Sequence, residues 1–155
     1  MSKLEDRFLC FRLENEDYAA PLLEVKEVLG IPEITPIPQM PSYFLGIMNL
    51  RGQVISVVDL RLKFGLKANR LGETCIIIFE YPAFSVGVVV DEVKSVLSPQ
   101  AGELCAPPDT QKSKKVDFVT GIINRGDQMI LTIDVVKALD LKNEAIQNNL
   151  SRRAA

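Results

Sequence analysis

Residues Arg7–Glu14 (RFLCFRLE) alternate apolar and polar positions, the two-residue period of a half-buried strand. A polar turn at Asn15–Asp17 leads to Tyr18-Ala19-Ala20 and Pro21. Proline is accepted in the first turn of a helix, so LLEVKEVL beyond it reads as a short helix, or a helix passing into a strand, closed near Gly30. Pro32, Pro36, Pro38 and Pro41 then forbid a regular helix or a central strand and predict an extended crossing or edge segment. From Gly46 to Leu60 the chain reads strand, turn, strand (GIMNLRGQVISVVDL), and QVISVVDL, apolar on both faces except at Ser56, is expected to lie centrally in a sheet. Gly65, Lys67, Asn69 and Gly72 mark a loop. TCIIIFE and FSVGVVVDEV predict two strands joined by a tight turn at Tyr81-Pro82-Ala83. A connector rich in proline and lysine runs from Ser98 to Lys115, and Asn143 is placed to cap a last amphipathic helix over Glu144–Arg153.

Two segments are spelled twice in the same order. VKEVL at Val25–Leu29 returns as VKSVL at Val93–Leu97, and the strand–turn–strand sentence returns as GIINRGDQMILTIDV at Gly121–Val135. A repeat of about 70 residues built from short strands predicts a duplicated unit, each copy too small to close a good core alone. Short strands with Gly and Pro turns favour small barrels over a parallel sheet. The expected fold is mainly β: two barrel-like halves, approximately residues 7–70 and 74–141, packed as one domain, with residues 142–155 as a C-terminal helix and tail. Asp59 and Asp134 each follow an apolar run and suit the N-cap of a short helix.

Composition narrows the chemistry more than the fold. The chain has 155 residues, 47% hydrophobic and 25% charged, with a net charge of −2. That balance favours neither nucleic acid nor an anionic membrane, both of which call for a clustered positive field; the basic knot Lys112–Lys115 reads as a solvated loop. The polar start MSKLEDR is unlike a secretory signal and no apolar run is long enough to span a membrane. Cys10, Cys75 and Cys105 are odd in number and widely spaced, against a disulfide framework, so a cytoplasmic location is expected.

There is no histidine, which removes the usual nucleophile activation, most zinc sites and a phospho-accepting histidine. No GxxxxGK[ST] or GxGxxG loop accompanies the VVVDEV run at Val88–Val93. Asp59, Asp91 and Asp134 lack the alternating helices of a receiver-type fold. No metal, cofactor or catalytic constellation is expected. What remains is a binding surface. Gly52 in the turn Asn49-Leu50-Arg51-Gly52 can take a positive φ, and Arg51 beside it projects a planar donor fork suited to a carboxylate. Glu27 is the partner if its segment lies alongside, although an ordinary surface ion pair has the same appearance. The rival from another class is a small enzyme or ligand-binding barrel using Asp91, Glu92 and the lysines.

The stretches VKEVLGIPEITPIPQMPSYFLGIMNLRGQVISVVDLR, VGVVVDEVKSVLS and VTGIINRGDQMILTIDV, in this order and spacing, resemble the bacterial chemotaxis coupling proteins of the CheW family. The resemblance covers about Phe8 to Leu141. It implies two packed SH3-like five-stranded β-barrels and a non-catalytic adaptor between the regulatory domain of the histidine kinase CheA and the cytoplasmic tips of chemoreceptors, recruited to membrane-associated arrays. The family's Glu–Arg pair falls on Glu27 and Arg51, and its receptor-binding groove on Val25, Val28, Gly46, Asn49 and Gly87, with Leu50 and Gly52 completing the turn. For Val25 and Val28 a place in the core, and for Gly46 and Gly87 a backbone role, are competing readings. Ser56 stands where the family often has proline. A related pathway, such as surface or pilus motility, is the alternative. Neither a fused receiver domain nor a kinase core is expected in these 155 residues.

Overall fold

The computed structural model of the chain describes residues 6–68, 74–107 and 118–139. The expected C-terminal helix, its Asn143 cap and the lysine knot lie outside them. The strands are β1 (Phe8–Leu13), β2 (Glu16–Pro21), β3 (Val25–Gly30), β4 (Phe44–Leu50), β5 (Gln53–Asp59), β6 (Cys75–Glu80), β7 (Ser85–Val90), β8 (Glu92–Leu97), β9 (Leu104–Cys105), β10 (Val119–Arg125) and β11 (Gln128–Ile133). Between β2 and β3 only Leu22–Glu24 is helical, a single 3-10 turn, so LLEVKEVL is a helix passing into a strand. The proline-studded segment is extended and touches β4 through one bridge, Thr35 to Ile47.

The strands form two sheets, one ordered β8-β1-β2-β11-β10-β9 and the other β3-β6-β7-β5-β4. Read outward from β8 and from β3, the pairings are the same: antiparallel, antiparallel, parallel, antiparallel. The two-residue β9, paired with β10, takes the place that the Thr35 bridge takes beside β4, and makes six strands of the expected five. The sheets are not the two sequence halves. The hairpin that opens each half is exchanged: β1 and β2 complete the sheet of β8–β11, while β6 and β7 complete the sheet of β3–β5.

Three apolar clusters follow from the alternation of faces along these strands. Met48, Ile55, Val57, Ile76, Ile78 and Val89 fill the inside of the five-stranded sheet. Cys10, Ala19, Ile123 and Ile130 fill the smaller interior of the six-stranded one. Between the sheets lies the largest cluster, with Phe11 and Leu13 from one and Phe79, Val86 and Val88 from the other. Asp59 and Asp134 do cap helices, accepting amide hydrogens from Arg61 and Leu62 in one case and Lys137 in the other. Each helix is a single turn, α1 (Leu60–Lys63) and α2 (Val135–Ala138).

Candidate functional site

The first copy of the repeated sentence ends β4 and begins β5 around a two-residue turn, with Leu50 opposite Gln53. Both turn residues have positive φ, 52° at Arg51 and 86° at Gly52. That is the turn whose twist matches a hairpin. Glycine takes the conformation freely, whereas a side chain on Arg51 is strained there. Asn49 steadies the loop by accepting the Gly52 amide at 2.9 Å. The conformation turns Arg51 outward, and its side chain keeps 67% of its surface exposed.

Glu27 on β3 meets it. Arg51 donates Nη1 to Glu27 Oε1 at 2.6 Å and Nη2 to Oε2 at 2.9 Å, a parallel two-point pair. β3 and β4 are the opposite edges of the five-stranded sheet, so the pair spans the seam where that sheet curls toward closure. The hydrogen bond from Arg51 holds the Glu27 carboxyl below its ordinary range, and the same bond raises Arg51.

The other residues of the expected surface divide. Asn49 and Gly52 are exposed on the turn and Leu50 is half-buried beside them. Val28 is 41% exposed, on the outward face of β3. Val25 is half-buried and packs on the inter-sheet core. Gly46 and Gly87 are buried, and both serve close packing. A Cβ on Gly46 would come within 2.0 Å of the Thr35 carbonyl oxygen, at a φ of 142°, and one on Gly87 would press on Ile76 at 3.1 Å. The structure therefore brings Glu27, Asn49, Leu50, Arg51 and Gly52 together, and places Val25, Gly46 and Gly87 in packing of their own, on the inter-sheet cluster, the Thr35–Pro36 backbone and Ile76.

Asp91, the key residue of the rival reading, is engaged. Oδ1 accepts Arg61 Nη1 at 2.7 Å and Oδ2 accepts the Glu14 amide at 2.5 Å. Arg61 also donates Nε and Nη2 to the two oxygens of Asp59, at 3.0 and 2.9 Å, and its side chain is only 5% exposed. Removing one partner from such a buried cluster costs roughly 3–5 kcal/mol, so Asp91 ties the sheets together. Sequence reasoning missed Arg61; the signal was an arginine two residues after the capping Asp59, on a turn that must face the core. It also missed Asp17. Burial pushes that carboxyl up, but hydrogen bonds from Gln128 and Arg12, with Lys94 nearby, hold it below its ordinary range. Among the described residues no group of three or more His, Cys, Asp or Glu is arranged to hold a metal, and no helix is long and apolar enough to cross a membrane.

Known proteins resemble this chain over most of its length. The family model described as CheW-like domain matches residues 7–143. The "Chemotaxis protein CheW" of Klebsiella aerogenes is 32% identical, over 94% of this chain and 88% of its own length. That of Bacillus subtilis is 31% identical, over 89% of each. A solved structure titled as the scaffolding protein TtCheW from Thermoanaerobacter tengcongensis superposes with a TM-score of 0.76 at 34% identity, covering 84% of this chain and 89% of that one. With its duplicated sentence folded into two like sheets and its family match spanning nearly every residue, this chain belongs to the CheW family.

Proposed function

We propose that the chain is a non-catalytic chemotaxis adaptor that joins the regulatory domain of the histidine kinase CheA to the cytoplasmic tips of chemoreceptors. The observation that carries the proposal is the Arg51 guanidinium, held by Glu27 on a strained turn and still mostly exposed. A strained, solvent-facing arginine is the kind of group a recognition surface uses. The relatives named for chemotaxis, and the neighbour named as a scaffold, support the same reading.

An adaptor of this size offers patches at the small, transient end of protein interfaces. Each contact is weak alone, and assembly depends on many of them acting together in a membrane-associated array. Signal passes as a shift in relative geometry and population, with no chemical step. Val28 and the exposed turn form the patch; Val25 and the packed glycines shape the sheet that carries it.

The test is capture of partners from an extract of the source cell with the wild-type chain and with Arg51→Glu. Recovery of a histidine kinase and of chemoreceptors by the wild type, and their loss with a variant that still melts cooperatively at nearly the same temperature, is the expected result. A variant that loses its cooperative melt would make Arg51 structural and end this reading. So would a wild-type chain that captures neither partner.

A further inference from the structure

The two sheets carry charge at the same end but dispose of it differently. Their registers match: Val93 lies opposite Phe11 as Val25 lies opposite Phe79, and Arg12 lies opposite Asp17 as Glu80 lies opposite Ser85. Lys94 of VKSVL therefore corresponds to Lys26 of VKEVL, Arg12 to Glu80, and Asp17 to Ser85. In the six-stranded sheet the charges turn on one buried carboxylate. Asp17 accepts Arg12 Nε at 3.1 Å and Gln128 Nε2 at 2.9 Å, and Lys94 Nζ lies 3.8 Å away. In the five-stranded sheet an uncharged serine stands in its place. Lys26 Nζ instead meets Glu80 Oε2 at 3.2 Å, with side chains 37% and 56% exposed.

This second pair adjoins the first. Lys26 sits in the bulge between Val25 and Glu27. The Glu27 carboxyl, held down first by the hydrogen bond from Arg51, is lowered further by Lys26. Glu80, Lys26, Glu27 and Arg51 thus follow one another as acid, base, acid, base on accessible surface. Ion pairs this exposed add little to stability. What alternating surface charge does control is encounter and register, because matched signs draw a partner in and mismatched signs turn it away.

We propose that Lys26 and Glu80 extend the Glu27–Arg51 pair into one recognition strip, and that the chemoreceptor tip meets it with charges in the reverse order, basic opposite Glu80 and Glu27, acidic opposite Lys26 and Arg51. The inference rests on the adaptor reading and names the chemistry of the partner's face. The contrast between the sheets carries it. The framework tolerates a buried carboxylate that gathers the charges at this end, yet the sheet bearing the strained Arg51 has Ser85 there and an acid at the place of Arg12. The strip is also continuous with Val28, exposed on the same strand as Lys26 and Glu27.

The test is the association rate of the full chain with a chemoreceptor of the source cell held in lipid nanodiscs, at low salt and at about 1 M salt, where charges are screened within about 3 Å. The exchange Lys26→Glu with Glu80→Lys keeps an ion pair between the two positions and inverts their order on the surface. It should slow association about tenfold at low salt and stay within about twofold of the wild type at high salt. Glu80→Gln should slow it about threefold at low salt. Equal low-salt rates for the wild type and a folded exchange variant overturn the strip and leave the adaptor reading standing. A slowing that persists at high salt also overturns it, since the effect is then one of packing. If the exchange variant loses its cooperative melt, Glu80→Gln decides, and a parental rate overturns the strip. A wild-type chain that binds no receptor overturns both readings.

Discussion

The two hairpins that spell the repeated sentence differ at their tips. In the five-stranded sheet, Arg51 and Gly52 both take positive φ, and Arg51 reaches across the seam to Glu27. In the six-stranded sheet the turn slips by one residue: Gly126 takes a φ of 59° and Asp127 follows it. Arg125 has become the last residue of its strand and is drawn to Glu103 at 3.0 Å. Ser95 occupies the place that Glu27 has in VKEVL. The second sheet reaches the same strand order with its arginine paired to Glu103 beside β9 and a serine at the place of Glu27, so the Glu27–Arg51 pair is not what the fold demands. A duplicated scaffold has kept its framework in both copies and placed an outward-facing charge pair in one.

The sharpest way to break the comparison lies at the glycines that open each hairpin. Gly46→Ala drives a Cβ into the Thr35–Pro36 backbone at a left-handed φ and should cost about 4 kcal/mol or more in a denaturant melt. Gly121→Ala meets its nearest atoms at 3.0 to 3.3 Å, two of them on the side chains of Thr132 and Leu104. It should cost about 1–2 kcal/mol. Equal costs would mean that the two hairpins are seated alike. Where the chain crosses from β7 to β8, and so from one sheet to the other, Asp91→Ala leaves Arg61 short of a partner and should cost roughly 3 kcal/mol. Tyr81→Phe removes the single hydrogen bond from its hydroxyl to Glu24 and should cost about 1 kcal/mol; a reversed order would mean that the buried ion cluster holds less than one phenol.

Much of this was legible in the residues. Alternation located β1, apolar runs bounded by turn residues located β5, β6 and β7, and the echoes of VKEVL and of the turn sentence announced two similar sheets. The exchange of opening hairpins was not legible, because a strand's pattern states which face is apolar and says nothing of which neighbour it pairs with. At the candidate site, Glu27 and Arg51 could be named because a turn glycine beside an arginine limits the possibilities. The inward role of Val25 could not, since a valine on an amphipathic strand fits core and groove equally well. Asp91 could be named only as a candidate of the rival enzyme or ligand-barrel reading, and burial beside Arg61 is a tertiary fact that no local window contains.

Ser56 offers a smaller test. Its hydroxyl is fully buried with no hydrogen-bond partner, an arrangement that costs free energy. Ser56→Ala should therefore raise stability by roughly 1 kcal/mol, seen as a higher thermal midpoint. Leu131 is the counterpart in the second hairpin, so a loss of stability would mean that the first has packed around the hydroxyl in its own way.

The least effect is expected at the exposed pair itself. The Glu27 carboxyl is depressed from an ordinary value of 4.5. Its contribution to stability is complete above that value and fades as the pH falls through the lower, folded-state value. In Arg51→Ala, an NMR titration should show Glu27 returning toward its ordinary value while the melting temperature hardly changes. An unmoved titration would mean that the two side chains do not meet in solution.

The exchanged hairpins also fix an order of events during synthesis. Asp17 on β2 lies beside Ile130 on β11 and accepts a hydrogen bond from Gln128, 111 positions further along. The opening hairpin therefore leaves the ribosome long before its parallel neighbour exists, while β3 to β7 can already complete the other sheet. Such distant pairing slows folding, and an unpaired strand edge invites mispairing while it waits. The chain is expected to be most exposed to chaperones and proteases during the interval between those two sheets.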